Sequence, residues 1–275
     1  MKNHISQKVK KWTLISAILA SGVVFLGFAM VHLALPSIGT SLDIGLSGLQ
    51  WVMNAYLLTL SSLLVLGGVL GDRYGNRKIC LIGLTGFALT TLGAALSPTF
   101  QWLITMRVVQ GISAALFVPE SLALIRSVYT NPTYLGEAIG TWTGWTGVAT
   151  VAGSLLGGAV VDQFSWRWAF LINLPLTGYA IWLMIRHVPK KTAKNKAVNP
   201  DWIGAALITL GLLGVIFGFI EGPSRGWTSP LVALGLIGGV SLLTIFPLIE
   251  SRVEHPILPL HLFRFPNFSG ANLTT

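Results

Sequence analysis

The chain has 275 residues, of which 53% are hydrophobic and only 10% are charged, and its formal net charge is +9. A water-soluble domain carries charge on about a quarter of its residues, so this composition excludes one and points to an all-α polytopic membrane protein. The basic excess would suit a nucleic acid only if it formed one patch, and its placement along the chain gives it another meaning.

Residues 1–11 hold Lys2, Lys8, Lys10 and Lys11, and an uncharged run, 12–42, follows. That run is too long for the apolar core of a signal peptide and lacks a convincing small-residue cleavage site. A retained first helix is therefore predicted at about 14–35. The uncharged runs 44–71 and 79–106 each exceed the roughly 20 apolar residues that cross the ~30 Å hydrocarbon core. Further helices are predicted at about 49–70, 79–96, 102–125, 135–161, 168–185, 202–220 and 231–249, and a ninth begins near Phe268.

With the N-terminus in the cytoplasm, every Lys and Arg except Arg107, Arg167 and Arg225 falls in a cytoplasmic segment. Basic residues are held on that side during insertion, so the asymmetry sets the orientation and explains the charge with no nucleic-acid partner. The basic stretch 190–196 could also touch anionic lipid headgroups. Cys80 is the single cysteine, which rules out a disulfide within the chain. No nucleophile elbow, phosphate-binding glycine loop or HExxH pattern occurs, so no enzyme site, metal or cofactor is expected.

Four stretches carry more than topology. Between the second and third helices, 68–78 contains Gly68, Gly71, Asp72, Arg73, Gly75, Arg77 and Lys78. Gly71 and Gly75 suit close approach and sharp turning, and Asp72 offers the cations a local partner or faces a helix N-terminus. In the fourth helix Arg107 lies roughly 8 Å below the outer surface at 1.5 Å per residue. A guanidinium at that depth faces a wet cavity or the bundle interior with a partner, unless it snorkels to the interface. The fifth helix is glycine-dense, and Gly140/Gly144 and Gly153/Gly157, four apart with Gly158 beside them, suit close helix packing. Last comes Ser165-Trp166-Arg167-Trp168, whose indoles are expected in an outer aromatic belt.

The 68–78 pattern resembles the loop between helices 2 and 3 of the major facilitator superfamily of transporters. Arg107-Val-Val-Gln110-Gly111 resembles that superfamily's helix 4, where the resemblance implies proton coupling by Arg107 and Gln110. The string W-R-W-x-F-x-I-N-x-P at 166–175, with Asp201-Trp-Ile-Gly204 and His255-Pro-Ile-Leu-Pro, resembles the drug:proton antiporters with fourteen helices. The helix-5 glycines match the antiporter motif only in part, since Ser154 stands where proline is expected and Ala149 where another glycine is.

The resemblance implies an N-terminal six-helix transporter bundle at 1–186, a basic linker at 187–201, two extra transmembrane helices at 202–249, and a cytoplasmic segment leading into a ninth helix at 250–275. The second bundle is absent. The implied activity is export of drugs or other amphipathic compounds from a bacterial plasma membrane, driven by the proton gradient. Trp142, Trp145 and Asn54 are candidates for lining the substrate cavity between halves that rock about a midplane site. Two rival readings stay open: a non-transporting fragment or half-transporter needing a second chain, and a nutrient-uptake carrier of the same fold.

Two positions depart from the family pattern. Gly27 stands where family members carry an acid in the first helix, and His32 replaces an asparagine. An imidazole titrates near ~6.5, so His32 is a candidate proton carrier, or else a structural hydrogen-bonding residue. Glu120 lies roughly 20 Å along the helix from Arg107. It is expected to pair with Arg73, Arg77 or Arg126 in a network latching the cytoplasmic gate, or to snorkel.

Overall fold

The computed structural model describes residues 6–190, 201–251 and 253, and in these all regular structure is helical. The chain divides into two compact units, Met1–Lys194 and Asn195–Thr275. Among the described residues, eight helices have the length and apolar character to cross a membrane. The predicted ninth helix and the 191–200 part of the linker lie outside the described residues.

The first unit contains α1 (Gln7–Leu42), α2 (Leu46–Tyr74), α3 (Asn76–Ala95), α4 (Phe100–Val128), α5 (Pro132–Gln163), the single turn α6 (Trp168–Leu171) and α7 (Asn173–His187). Local chemistry sets the boundaries. The side chains of Ser6, Thr99 and Asn131 cap α1, α4 and α5 by accepting from backbone N–H groups of the first turn. Between α2 and α3 stands one residue, Gly75, at φ 98°, a backbone conformation that a side chain disfavours. The sixth span breaks at Ile172, where Pro175 has no N–H to return to the Leu171 carbonyl four residues back.

In a bilayer helices gain little from hydrophobic attraction to one another, so small residues that let backbones approach drive the packing. α4 packs between α2 and α3, and α1 packs on α5. Gly67 of α2 lies directly on the Ala115 carbonyl of α4. That carbonyl is the one freed by Pro119, which cannot donate to it, so the glycine covers an otherwise orphaned acceptor. Gly83 of α3 comes as close to the Ser113 carbonyl, where an added Cβ would stand 2.8 Å away.

Two large apolar clusters and a small third one around Ala17, Ile125 and Ala138 fill the unit. One large cluster gathers Met30, Ile38, Val52, Leu103, Trp166 and Phe170, and the other Val23, Tyr56, Leu84, Phe87, Phe117 and Met184. Trp166 therefore departs from the expected aromatic belt: it is 3% exposed, with Phe170 against its edge and the Arg167 guanidinium over its ring. Arg167 donates onward to the Ser97 carbonyl, which draws this corner inward, while Trp168 keeps the exposed position.

The second unit is a hairpin of α8 (Trp202–Arg225) and α9 (Pro230–Glu250). Asp201 caps α8 by accepting from the Gly204 N–H at 2.8 Å. Gly214 and Gly235 face each other closely enough that a Cβ on either would meet the other's carbonyl below 3 Å, and a Cβ on Gly239 would stand 2.7 Å from the Gly211 carbonyl. Outward-facing Leu210, Phe219, Leu234 and Ile237 are exposed, as a lipid-facing surface requires.

Candidate functional site

Between the two large apolar clusters of the first unit lies a small cavity with room for about one water-sized particle. Val24, Gly27, Phe28 and Val31 of α1 line it, with Tyr56, Phe87, Arg107, Gln110, Phe170 and Asn173 from the other helices. Arg107 is 2% exposed. Its Nε donates to the Val52 carbonyl at 2.8 Å and its Nη1 to Oε1 of Gln110 at 2.8 Å. Gln110 donates in turn to the Thr91 hydroxyl at 2.7 Å, and the Tyr56 ring lies 4.3 Å below the guanidinium carbon.

These contacts account for much of the cost of burying the charge. Hydrogen bonds from a charged group contribute ~1.5–3 kcal/mol each, and a desolvated cation over an aromatic ring about 2 kcal/mol. Two bonds and one ring thus approach the several kcal/mol that an intramembrane arginine costs. They supply no counter-charge: among the described residues no carboxylate lines the cavity. Three polar atoms there have no partner within the protein, namely Nη2 of Arg107, the Tyr56 hydroxyl and Oδ1 of Asn173.

Gly27 belongs to this site. A Cβ built on it would stand 3.0 Å from Nδ2 of Asn173, so the missing side chain leaves the space that the cavity uses. Gly111 holds the opposite wall, since it presses on the Thr59 hydroxyl and the Tyr56 carbonyl, and Thr59 donates to the Val108 carbonyl of α4 at 3.0 Å. His32 does not join the cluster. It is exposed and absent from the cavity wall, because its place on α1 is offset from the Gly27–Val31 face.

At the end of the unit that carries the Gly75 turn, Glu120 is buried to 1% exposure against Gly71, with the Asn76 side chain hydrogen-bonded to it and Asp72 close enough to act on it electrostatically. The expected Arg77 pair does not form. Arg77 donates instead to the carbonyls of Met184 at 3.2 Å and Ile185 at 2.9 Å. Those carbonyls lie in the last turn of α7, where the negative end of the helix dipole attracts a cation, and the Met184 carbonyl accepts from the Val188 N–H as well. Lys78 and Arg126 are exposed, as is Asp72, and Gly68 has nothing within 4 Å of where a Cβ would lie.

On α5 the glycines divide. Gly153 and Gly157 pack on Leu26 and Met30 of α1, with Cβ positions 2.5 Å and 3.0 Å from α1 backbone atoms. Gly140, Gly144 and Gly158 meet nothing within 4 Å among the described residues, so they take no part in the contact between α1 and α5. Trp142 donates its indole N–H to Ser21 at 3.1 Å, and Ser21 bonds Ser121 at 2.8 Å, which ties α5 to α1 and α4. Trp145 is 56% exposed, and Asn54 is half-buried. The structure thus brings none of the three proposed cavity residues to the Arg107 site.

Tyr56 and Thr91 were missed by sequence reasoning, and Asn173 entered it only as part of the 166–175 string, with no role assigned. A polar residue amid an apolar run that recurs on the face of an intramembrane arginine's neighbours was the available signal, but the sequence does not say which faces meet.

The sequence profile described as Major Facilitator Superfamily matches residues 17–256. A puromycin resistance protein of Streptomyces alboniger is 36% identical over 248 residues, covering 90% of this chain and 49% of that protein. A methylenomycin A resistance protein of Bacillus subtilis is 34% identical over 278 residues, covering 98% of this chain and 59% of the relative. A tetracenomycin C resistance and export protein of Streptomyces glaucescens is 34% identical, with 92% of this chain and 47% of that one covered. The chain spans about half the length of these relatives. Among solved structures, the peptide transporter POT in complex with sulfate superposes with a TM-score of 0.65 at 12% identity, over 88% of this chain and 53% of that one. A bacterial homologue of the lysosomal transporter Spinster superposes with a TM-score of 0.55 at 17% identity, over 90% of this chain and 62% of the other. These two share the fold.

Proposed function

Because the chain belongs to the Major Facilitator Superfamily and is a multi-pass membrane protein, we propose that it forms the N-terminal part of a proton-driven exporter of drug-like amphipathic compounds in a bacterial plasma membrane, with its N-terminus in the cytoplasm. The observation that carries this reading is the similarity, along nearly the whole chain, to three proteins named for antibiotic resistance or export. The buried Arg107 cluster supports it, since an intramembrane charge is retained at a cost and marks a functional position. Arg107 and Gln110 would respond to the proton, and the α2–α3 turn would move with the change of access. In this fold substrate binds between two bundles that rock about it. The chain supplies one bundle, and the other would come from the rest of a longer chain or from a second chain.

The test uses bacteria stripped of their own exporters and carrying the gene in its full reading frame. Lower accumulation of an antibiotic or cationic dye than in empty-vector cells, reversed by a protonophore and lost in R107Q, is expected. Equal accumulation with and without the gene across a broad compound panel would refute export, and efflux indifferent to the protonophore would refute proton coupling.

A further inference from the structure

The cavity beside Arg107 has a charge problem that its own walls do not solve. The guanidinium is buried, two of its nitrogens are engaged by neutral acceptors, and the third, Nη2, has no partner within the protein. The Tyr56 ring attracts the cation but carries no net charge. Tyr56 also lines the cavity, and its hydroxyl, buried and without a partner in the protein, is a second donor. Asn173 gives one amide hydrogen to the Ala169 carbonyl at 3.2 Å and retains another, on the atom nearest the space beside Gly27.

We propose that this cavity binds one small inorganic anion of halide size, held by the Arg107 guanidinium and the Tyr56 hydroxyl in the space left by Gly27. Size excludes a lipid phosphate or a drug carboxylate, because the space takes about one water-sized particle. Charge separates the anion from water. A water molecule could serve Nη2, the hydroxyl and Oδ1 of Asn173 together, yet it would leave a full positive charge uncompensated in a low-dielectric interior, where an ion needs a paired charge. The inference concerns occupancy and does not depend on export.

The experiment is equilibrium binding of radioactive chloride to the purified full chain in lipid nanodiscs, at constant ionic strength with gluconate as the balancing anion. Saturable binding, competed by bromide but not by gluconate, is expected. Gly27→Asp puts a carboxylate on the cavity wall that Arg107 shares, and its side chain, whose Cβ would stand 3.0 Å from Nδ2 of Asn173, takes up the space the anion would use. It should weaken chloride binding on the order of 100-fold by supplying the counter-charge internally. Tyr56→Phe removes one donor and should weaken it ~tenfold. Size-exclusion profiles identify which variant is folded, and either one alone is decisive. Absence of saturable binding to the unaltered chain means the cavity holds water only and overturns the proposal. Binding undiminished in a folded G27D or Y56F chain places the anion elsewhere and overturns it equally.

Discussion

Replacing Gly111 by alanine tests whether the α2–α4 contact holds the Arg107 cluster in place. The added methyl would overlap the Thr59 hydroxyl and the Tyr56 carbonyl and would stand 3.1 Å from the Leu60 nitrogen. Two of those three atoms are backbone and cannot turn aside, so the helices must separate by about an ångström to reach ordinary contact. Overpacking of this kind costs ~1–3 kcal/mol. The same shift stretches the Arg107–Val52 bond from 2.8 Å to beyond roughly 3.5 Å, which forfeits ~1.5–3 kcal/mol from a charged donor. The sum, about 2.5–6 kcal/mol, corresponds to a fall in Tm on the order of 10 °C. Gly140→Ala is the control: nothing lies within 4 Å of its added methyl, and helix propensity favours alanine by up to ~1 kcal/mol. Thermal unfolding of detergent-purified protein, followed by circular dichroism, compares the two. G111A melting as high as the unaltered chain, or G140A melting as low as G111A, would refute the packing argument.

Gly153→Leu should loosen α1 from α5 and lower Tm by several degrees, whereas Gly158→Leu, which meets open space, should not; the same melting assay distinguishes them. Arg77→Gln removes both bonds to the end of α7 and should increase protease cleavage there, and reversing the charges of Arg77 and Glu120 together should restore nothing lost singly, because the two side chains do not pair. Cys80 is fully buried, with its thiol 3.9 Å from the Phe117 carbonyl, so a maleimide should leave it unmodified in the native chain and label it only after denaturation. Replacing the exposed His32 by asparagine should leave the pH profile of efflux unchanged; a shifted profile would return His32 to the proton path.

The spans, their order and the position of the Gly75 turn were legible because each depends on composition over a stretch or on one residue's backbone freedom. Arg107 was legible for a related reason: a lone charge in an apolar run has few places to go. Its neighbours were not. A period of 3.6 residues shows which positions share a face, but Val52, Tyr56, Thr91 and Asn173 lie on three other helices, and only their crossing angles bring them to one site, Thr91 by way of Gln110 and Asn173 on the cavity wall. Glu120 and Arg77 show the same limit, for the sequence offers several cations near that end, whereas the fold presents Arg77 with the carbonyls of α7 first.

The amino-acid sequence by itself therefore determined that the chain crosses a membrane repeatedly, the order of the crossings, and that a lone charge stands within the fourth. Those outcomes follow from the cost of leaving polar backbone or side chains in hydrocarbon, which acts on each segment separately. Tertiary structure alone decided which glycines carry helix contacts, that Trp166 turns inward, and that Arg107 sits at a cavity without a carboxylate. Each of these is a matter of which surfaces meet, and dispersion contacts that fade within an ångström of separation are a property of the assembled bundle.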